Sequence, residues 1–211
     1  MVGKRGQRRL LGRRLAAFTL AMIAALGMAC SIGPAPTPPT QQWTVEEGFE
    51  SGLGTWARGA DVPLDGEIPN QTVEWSIEQS DEQSKSGQAS ARLFLDGKHD
   101  DGTIWLTHSF AVPANGEYAV HLSLDLWSQS ESFNTLGKVA VYAGPRQPTE
   151  EADFDTSQPA DQAEGWKRYE YQMKARSDDQ GQLWVAFGIS VVWETQVTYF
   201  IDDVNIEIIP S

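Results

Sequence analysis

Residues 117–127 read Glu-Tyr-Ala-Val-His-Leu-Ser-Leu-Asp-Leu-Trp, and their phase decides the fold. Tyr118, Val120, Leu122, Leu124 and Leu126 fall on one side of a period of two; His121, Ser123, Asp125 and Trp127 fall on the other. In a β-strand successive side chains point to opposite faces, so this segment buries one face and leaves the other mixed. A helix, with its period of 3.6, would scatter the leucines around its circumference. The pattern recurs outward along the chain. Ala89, Ala91, Leu93 and Leu95 oppose Ser90, Arg92 and Phe94, while Val139, Val141 and Ala143 oppose Lys138, Ala140 and Tyr142. Leu183, Val185, Phe187, Ile189 and Val191 oppose Trp184, Ala186, Gly188 and Ser190.

The spacing predicts nine strands: Trp43–Glu47, Thr72–Gln79, Ala89–Leu95, Thr103–Phe110, Glu117–Trp127, Gly137–Ala143, Trp166–Lys174, Gln182–Val192 and Val197–Ile209. Turn-forming pieces such as Asp96-Gly97, Pro113-Ala114-Asn115-Gly116 and Ser177-Asp178-Asp179-Gln180-Gly181 separate them. A length of about 170 residues suits one domain with a substantial core. Strands that each bury a single face read as an all-β, two-sheet antiparallel β-sandwich.

Upstream of residue 43 the composition changes. Lys4, Arg5, Arg8, Arg9, Arg13 and Arg14 precede an uncharged run from Leu15 to Ala29. That run is too short for a comfortable membrane span and suits an export signal. Ser31 to Gln42 holds four prolines and no charge. Between them sits Cys30, the single cysteine, which has no intramolecular disulfide partner. This order, with Leu26-Gly27-Met28-Ala29-Cys30 at its junction, resembles the signal of bacterial lipoproteins, although Leu26 stands one residue further upstream than in that pattern. The resemblance implies cleavage before Cys30 and acylation of its sulfur with palmitate-like chains. It also implies a lipid anchor at the cell envelope, on the outer face of the cell membrane or in the outer membrane. A plain secretory signal cut near Ala29 is the alternative; lipidation accounts for the tether as well. Arg13-Arg14 leaves the twin-arginine export route open beside the general one. The organisation is then signal 1–29, Pro-rich tether 30–42 and sandwich 43–211.

Export changes the electrostatics. Of 16 Lys+Arg, six lie in the signal, which leaves ten against 29 Asp+Glu and a formal charge of −19. Such a surface repels phosphate backbones, anionic headgroups and acidic polysaccharides. Nucleic acid is excluded, and membrane contact is confined to the anchor. Neutral glycans and envelope proteins remain as partners for what reads as a monomer.

Four landmarks carry a second resemblance: Glu47-Gly48-Phe49-Glu50-Ser51-Gly52-Leu53-Gly54-Thr55-Trp56; Ser86-Gly87-Gln88-Ala89-Ser90-Ala91-Arg92-Leu93; Phe110-Ala111-Val112-Pro113-Ala114-Asn115-Gly116-Glu117-Tyr118; and Tyr199-Phe200-Ile201-Asp202-Asp203-Val204. In this order they are similar to the galactose-binding-like jelly rolls of carbohydrate-binding modules and of MAM adhesion domains. The resemblance spans essentially the whole sandwich and implies a jelly roll. It also implies a structural Ca2+ between the first and last strands, with Glu50 and Asp202 at the matching positions. Asp202 lies in phase with Val204, Ile206 and Ile208, so alternation aims it inward, where a carboxylate needs compensation. The other reading of Asp202 and Asp203 is an acidic turn paired with Arg or backbone amides.

Sugar recognition asks for aromatic faces flanked by amide, hydroxyl or carboxylate groups. The mixed faces offer Trp105, His121, Asp125, Trp127, Tyr142 and Trp184, and the segment Val192–Gln196 adds Trp193 and Glu194. Each tryptophan taken singly is also a candidate sheet-packing residue, and Trp43, Trp56, Trp75 and Trp166 read as covering sandwich edges. Catalysis has little to stand on. Asp100-Asp101 and Asp178-Asp179 read as solvated turns and not as a glycosidase pair. His99, His108 and His121 lack metal-ligand spacing, and His108 shares the phase of core residues. No G-x-S-x-G turn is present. The expectation is a non-enzymatic, surface-anchored sugar binder; the alternative is an envelope adhesion or scaffold domain that takes a protein partner.

Overall fold

The computed structural model describes residues 41–96, 101–129, 137–160, 164–192 and 196–211. Cys30 with the signal and most of the tether, and Trp193 with Glu194, lie outside the described residues. The strands are β1 (Trp43–Glu47), β2 (Ala57–Asp61), β3 (Trp75–Ser80), β4 (Ser90–Asp96), β5 (Gly102–Ala111), β6 (Glu117–Ser128), β7 (Gly137–Gly144), β8 (Asp155–Pro159), β9 (Gly165–Arg176), β10 (Gln182–Val191) and β11 (Gln196–Pro210). One sheet runs β3-β4-β11-β6-β9, with β1 paired to the second half of β11; the other runs β2-β5-β10-β7-β8. Their pairings are antiparallel. This is the expected sandwich. Each of the nine expected strands forms, and β2 and β8 are additional. Both are sheet edges with the sequences Ala-Arg-Gly-Ala-Asp and Asp-Thr-Ser-Gln-Pro, and neither fully buries a residue. An edge strand that lends little to the core carries no apolar alternation, so its sequence gives no signal.

The interior is the one that alternation implies. Leu122, Leu124 and Leu126 of β6 face Val185, Phe187 and Ile189 of β10 in one continuous core, all buried. Truncating such a leucine to alanine costs about 2–5 kcal/mol through lost burial plus cavity. Trp56 joins this core against Phe187, ring centroids 4.8 Å apart, and is not a mere edge cover. His108 packs its ring between Trp56 and Phe110, as its phase implied.

One phase expectation fails. Opposite β6, the register of β11 shifts between Asp202 and Asn205, so three steps along β11 match two along β6. This is a β-bulge, and Asp203 takes a left-handed φ of 47° within it. The extra residue reverses the alternation. Ile201 points inward before it and Val204, Ile206 and Ile208 after it, whereas Asp202 sits on the outer face opposite Asp125.

Candidate functional site

The sandwich separates the expected sugar-binding residues onto two opposite outer faces. Trp105, Tyr142 and Trp184 stand on the five-stranded sheet; His121, Asp125 and Trp127 stand on the six-stranded one. They do not form one site.

On the five-stranded sheet, Trp105 lies between Gly59 of β2 and Gly188 of β10. Its indole crosses Gly59 so closely that any Cβ there would collide with the ring. From above, Phe154 closes on it with ring centroids 4.9 Å apart, and lies 6.1 Å from the Tyr142 ring. The segment that carries Phe154 joins β7 to β8. Its Glu151 accepts a hydrogen bond from Thr103 Oγ1 at 2.6 Å, and the Glu151 N–H donates to Asp61 Oδ2 at 2.8 Å. Arg146 braces the segment by gripping the Asp153 carboxylate, which also accepts the Thr149 N–H at 2.9 Å. Burial pushes the Asp153 carboxyl up, but the Thr149 amide, Arg146 and the Glu150 amide together outweigh it and hold the group below its ordinary range. Two expectations are corrected here. Trp105 is 2% exposed and is stacked by the chain's own phenylalanine. Tyr142 spends its hydroxyl on the Arg146 carbonyl at 2.8 Å, and burial raises its pKa. Trp184, half-buried beside Ser109 and Gly144, lies further along the sheet.

The six-stranded sheet is more open. Its register aligns Glu78, Arg92, Phe200, Trp127 and Trp166 in one row across β3, β4, β11, β6 and β9. Phe200 is buried and meets Trp127 edge-on at 5.5 Å; the Trp127 and Trp166 indoles are half-buried. The next outward row holds Asp202, Asp125 and Arg168. Arg168 donates to Asp125 Oδ2 and to Ser123 Oγ, each at 2.7 Å, and to the Asp203 carbonyl at 3.2 Å. Lys85 Nζ stands 3.9 Å from the other Asp125 oxygen. Asp125 is therefore corrected from ligand to support: it is 4% exposed and locked by two cations.

Beyond this row opens a cleft of about 420 Å³, lined by Glu46, Glu47, Ser86, Arg168, Asp203 and Asn205. A second, of about 230 Å³, shares Asn205 and continues past Ser123, Glu170, Gln172, His121 and Glu207. His121 is half-exposed, its Nδ1 3.9 Å from Glu207 Oε2. Sequence reasoning missed Arg168 and Phe200, and it placed Trp166 on an edge without seeing its neighbour. The only available signal was the aromatic parity of Trp166, and parity cannot say which strand pairs with which.

Glu50 and Asp202 both grip the segment between β3 and β4. Asp202 Oδ2 accepts the N–H groups of Lys85 and Ser86 at 2.8 and 3.0 Å, and its Oδ1 accepts that of Asp203 at 2.7 Å. Glu50 Oε1 accepts the N–H groups of Gln88 and Ala89 at 2.9 and 3.1 Å. Gly87, at φ 62°, lets this carboxylate lie against the chain where a side chain would collide. Burial raises the Asp202 pKa; the three amides oppose the shift and the Asp203 charge adds to it. Amide hydrogens point at both oxygens of each carboxylate, and their positive ends stand where a hard cation would sit, so these carboxylates as placed do not fit Ca2+. Among the described residues no three His, Cys, Asp or Glu side chains converge as a metal site. The geometry is that of the amide-paired turn.

No family model matches the sequence, and no curated protein matches it. Solved structures similar to the chain include the xylan-binding domain CBM22-1 of Xyn10C from Paenibacillus barcinonensis, at 15% identity and a TM-score of 0.47 over 79% of this chain and 94% of that one. TmCBM61 in complex with β-1,4-galactotriose is 14% identical with a TM-score of 0.40, over 75% of this chain and 92% of that one. A family 16 carbohydrate-binding module is 12% identical with a TM-score of 0.40, over 75% and 94%. Identities and scores this low leave the reading of the site to the chain's own residues.

Proposed function

We propose that the chain binds carbohydrate without catalysis, through the outer face of its six-stranded sheet, while acyl chains on Cys30 hold it at the cell envelope. The row Arg92–Phe200–Trp127–Trp166 carries the reading. A sugar ring presents an apolar C–H face that packs on an aromatic surface, and its equatorial hydroxyls seek polar groups around the rim. Two half-buried indoles on adjacent strands, about 5 Å apart at their Cβ atoms, supply the first requirement with the surface they keep in solvent. Arg168, Ser123, Asn205 and Gln172 supply the second along the two joined clefts. Glu46, Glu47, Glu170 and Glu207 line the same path and disfavour uronate polymers, which leaves neutral glycans.

Three of the carboxylates at or beside this path are already engaged within the fold. Asp125 is held by Arg168 and Asp202 by amides, while Glu47 accepts the Phe49 N–H at 2.8 Å and Trp56 Nε1 at 3.3 Å. These carboxylates hold the fold. The test is a glycan array on the exported protein, with and without EDTA. Binding to neutral glycans should weaken tenfold or more, about 1.4 kcal/mol, in Trp127→Ala and again in Trp166→Ala. Lack of any glycan signal would assign the face to a protein partner instead. The anchor is tested separately: mass spectrometry should find acyl chains on Cys30, and Cys30→Ser should release the protein from membranes.

A further inference from the structure

Below the ionic row, the outer face of the six-stranded sheet continues with two polar rows. Glu46, Asn205, Ser123 and Glu170 stand opposite one another across β1, β11, β6 and β9, and Thr44, Glu207, His121 and Gln172 form the next row. The cleft of about 230 Å³ opens here, with Glu170 on one side of β6, Glu207 on the other, and Ser123 and His121 on the strand between them. These two carboxylates differ from the engaged ones above. Glu170 is exposed, and among the described residues its carboxylate has no hydrogen bond and no ion pair. Glu207 is half-buried and faces His121 Nδ1 at 3.9 Å, beyond hydrogen-bond distance. Of the cations near them on β9, Arg168 is committed to Asp125. Lys174 is four residues from Glu170, about 13 Å along an extended strand and past the screening length of about 8 Å at physiological salt.

A cleft with such carboxylates on two sides selects for positive charge. A metal ion is not the match. The strands that carry Glu170 and Glu207 flank β6, about 10 Å apart, and no three His, Cys, Asp or Glu side chains converge among the described residues. The rest of the lining asks for hydroxyls, since Ser123, Asn205 and Gln172 each offer a polar side chain. Two rows further up β6 and β9, the Trp127–Trp166 pair asks for an apolar ring face. Indoles and cleft lie along one line, the seam between β6 and β9. A chain of hydroxylated rings that carries ammonium groups meets all of these demands. We infer that the groove prefers amine-bearing glycans of the glucosamine class, with one ring on the indoles and an ammonium group between Glu170 and Glu207. The inference rests on the glycan reading of this face and narrows it: neutral glycans share the indoles, and the ammonium adds a contact that they lack. A lysine-rich peptide would use the carboxylates and leave the indoles without a ring.

Calorimetry with the glucosamine hexamer, its fully N-acetylated counterpart and cellohexaose tests the inference, in buffer acidic enough to protonate the sugar amines. The glucosamine hexamer should bind at least tenfold tighter than either uncharged hexamer at low salt. Raising salt from about 0.01 M to about 1 M, which shortens the screening length from about 30 to about 3 Å, should remove most of that preference. Glu170→Gln and Glu207→Gln should each lower the ratio of affinities severalfold, and the double substitution should bring it to about one. Both side chains lie on the surface of the sheet, so the variants fold, and unchanged melting temperatures check it. Equal affinity for the three hexamers, a preference indifferent to salt, or one that survives the double substitution overturns the inference. Hexalysine bound as tightly as the sugar would assign the cleft to a cationic peptide and overturn it too. Cellohexaose binding that depends on Trp127 without any amine preference would leave the glycan reading standing and sink this inference alone; no binding of any hexamer would sink both.

Discussion

The two outer faces of this sandwich begin from similar strands and end in different states. β6 and β10 alternate alike, each sending aromatic and small polar side chains away from the core. On the six-stranded face Trp127 and Trp166 keep part of their surface in solvent, and the covering segment Lys85–Ala89 reaches the acidic row beside them. On the five-stranded face the segment from residue 145 to Phe154 lies across the strands and seals Trp105. Alternation tells which side chains leave the interior. Whether they then meet water depends on a connection whose destination no local pattern encodes.

The sharpest test of that contrast replaces one tryptophan on each face. Trp105→Ala removes a fully enclosed indole and should destabilise by about 3–5 kcal/mol, as buried aromatic truncations do. Trp127→Ala removes a half-buried ring on the outer face and should cost about 1 kcal/mol in stability while abolishing most glycan binding. Chemical denaturation of both variants measures the difference. Equal losses would mean that the faces are not distinct.

A smaller effect separates the two carboxylates that grip the Lys85–Ala89 segment. Asp202→Ala deprives three amides of their acceptor and should cost about 2–3 kcal/mol, whereas Glu50→Ala, exposed and rescued by water, should cost about 1 kcal/mol or less. If the amides are the true partners, EDTA leaves the melting temperature of the unsubstituted protein where it was. A drop of several degrees on EDTA would restore a cation to this corner. Arg168→Ala comes next in size. It leaves Asp125 with Lys85 alone at 3.9 Å and should cost about 1–2 kcal/mol, discounted because the arginine is itself partly exposed.

Much of the fold was legible because the strands with a core face announce it by period two. Leu122 to Leu126 and Leu183 to Val191 needed nothing else. The edges β2 and β8 were illegible for the complementary reason, since a strand that buries almost nothing has no pattern to show. The bulge at Asp203 was hidden as well. A single extra residue reverses the phase, and the inward aim of Asp202 inferred from Val204 and Ile206 became an outward one. For the site, His121, Asp125 and Trp127 fall on one outer face, since they share one strand and one parity. Trp166 and Arg168 complete their surroundings through the pairing of β6 with β9, a contact across some forty residues of chain that composition does not record. Trp105 was misjudged because Phe154 arrives from outside the sheet.

The finest comparison is electrostatic, and it again opposes the two faces. Asp202, beside the cleft, has its pKa raised above 3.8, chiefly by burial; Asp153, in the segment between β7 and β8, is held below 3.8 by the Thr149 amide, Arg146 and the Glu150 amide against the pull of burial. The signs follow from linkage. A carboxyl raised in the folded state contributes stability that is fully present below its unfolded pKa and lost as pH rises through the folded value. One that is lowered contributes stability present above its unfolded pKa and lost as pH falls through the folded value. Asp202→Asn and Asp153→Asn remove the two titrations one at a time. Measured against the unsubstituted protein by thermal melts between pH 2.5 and 6, the deficit of Asp153→Asn should shrink on acidification below about 3.8, where the brace to Arg146 loses its charge. The deficit of Asp202→Asn should instead grow as the pH falls toward 3.8, because the native carboxyl gains its proton and sheds the penalty of a buried charge. Parallel curves would show that the two carboxylates sit in equivalent surroundings, which the Arg146 brace on one face and the bulge on the other do not allow.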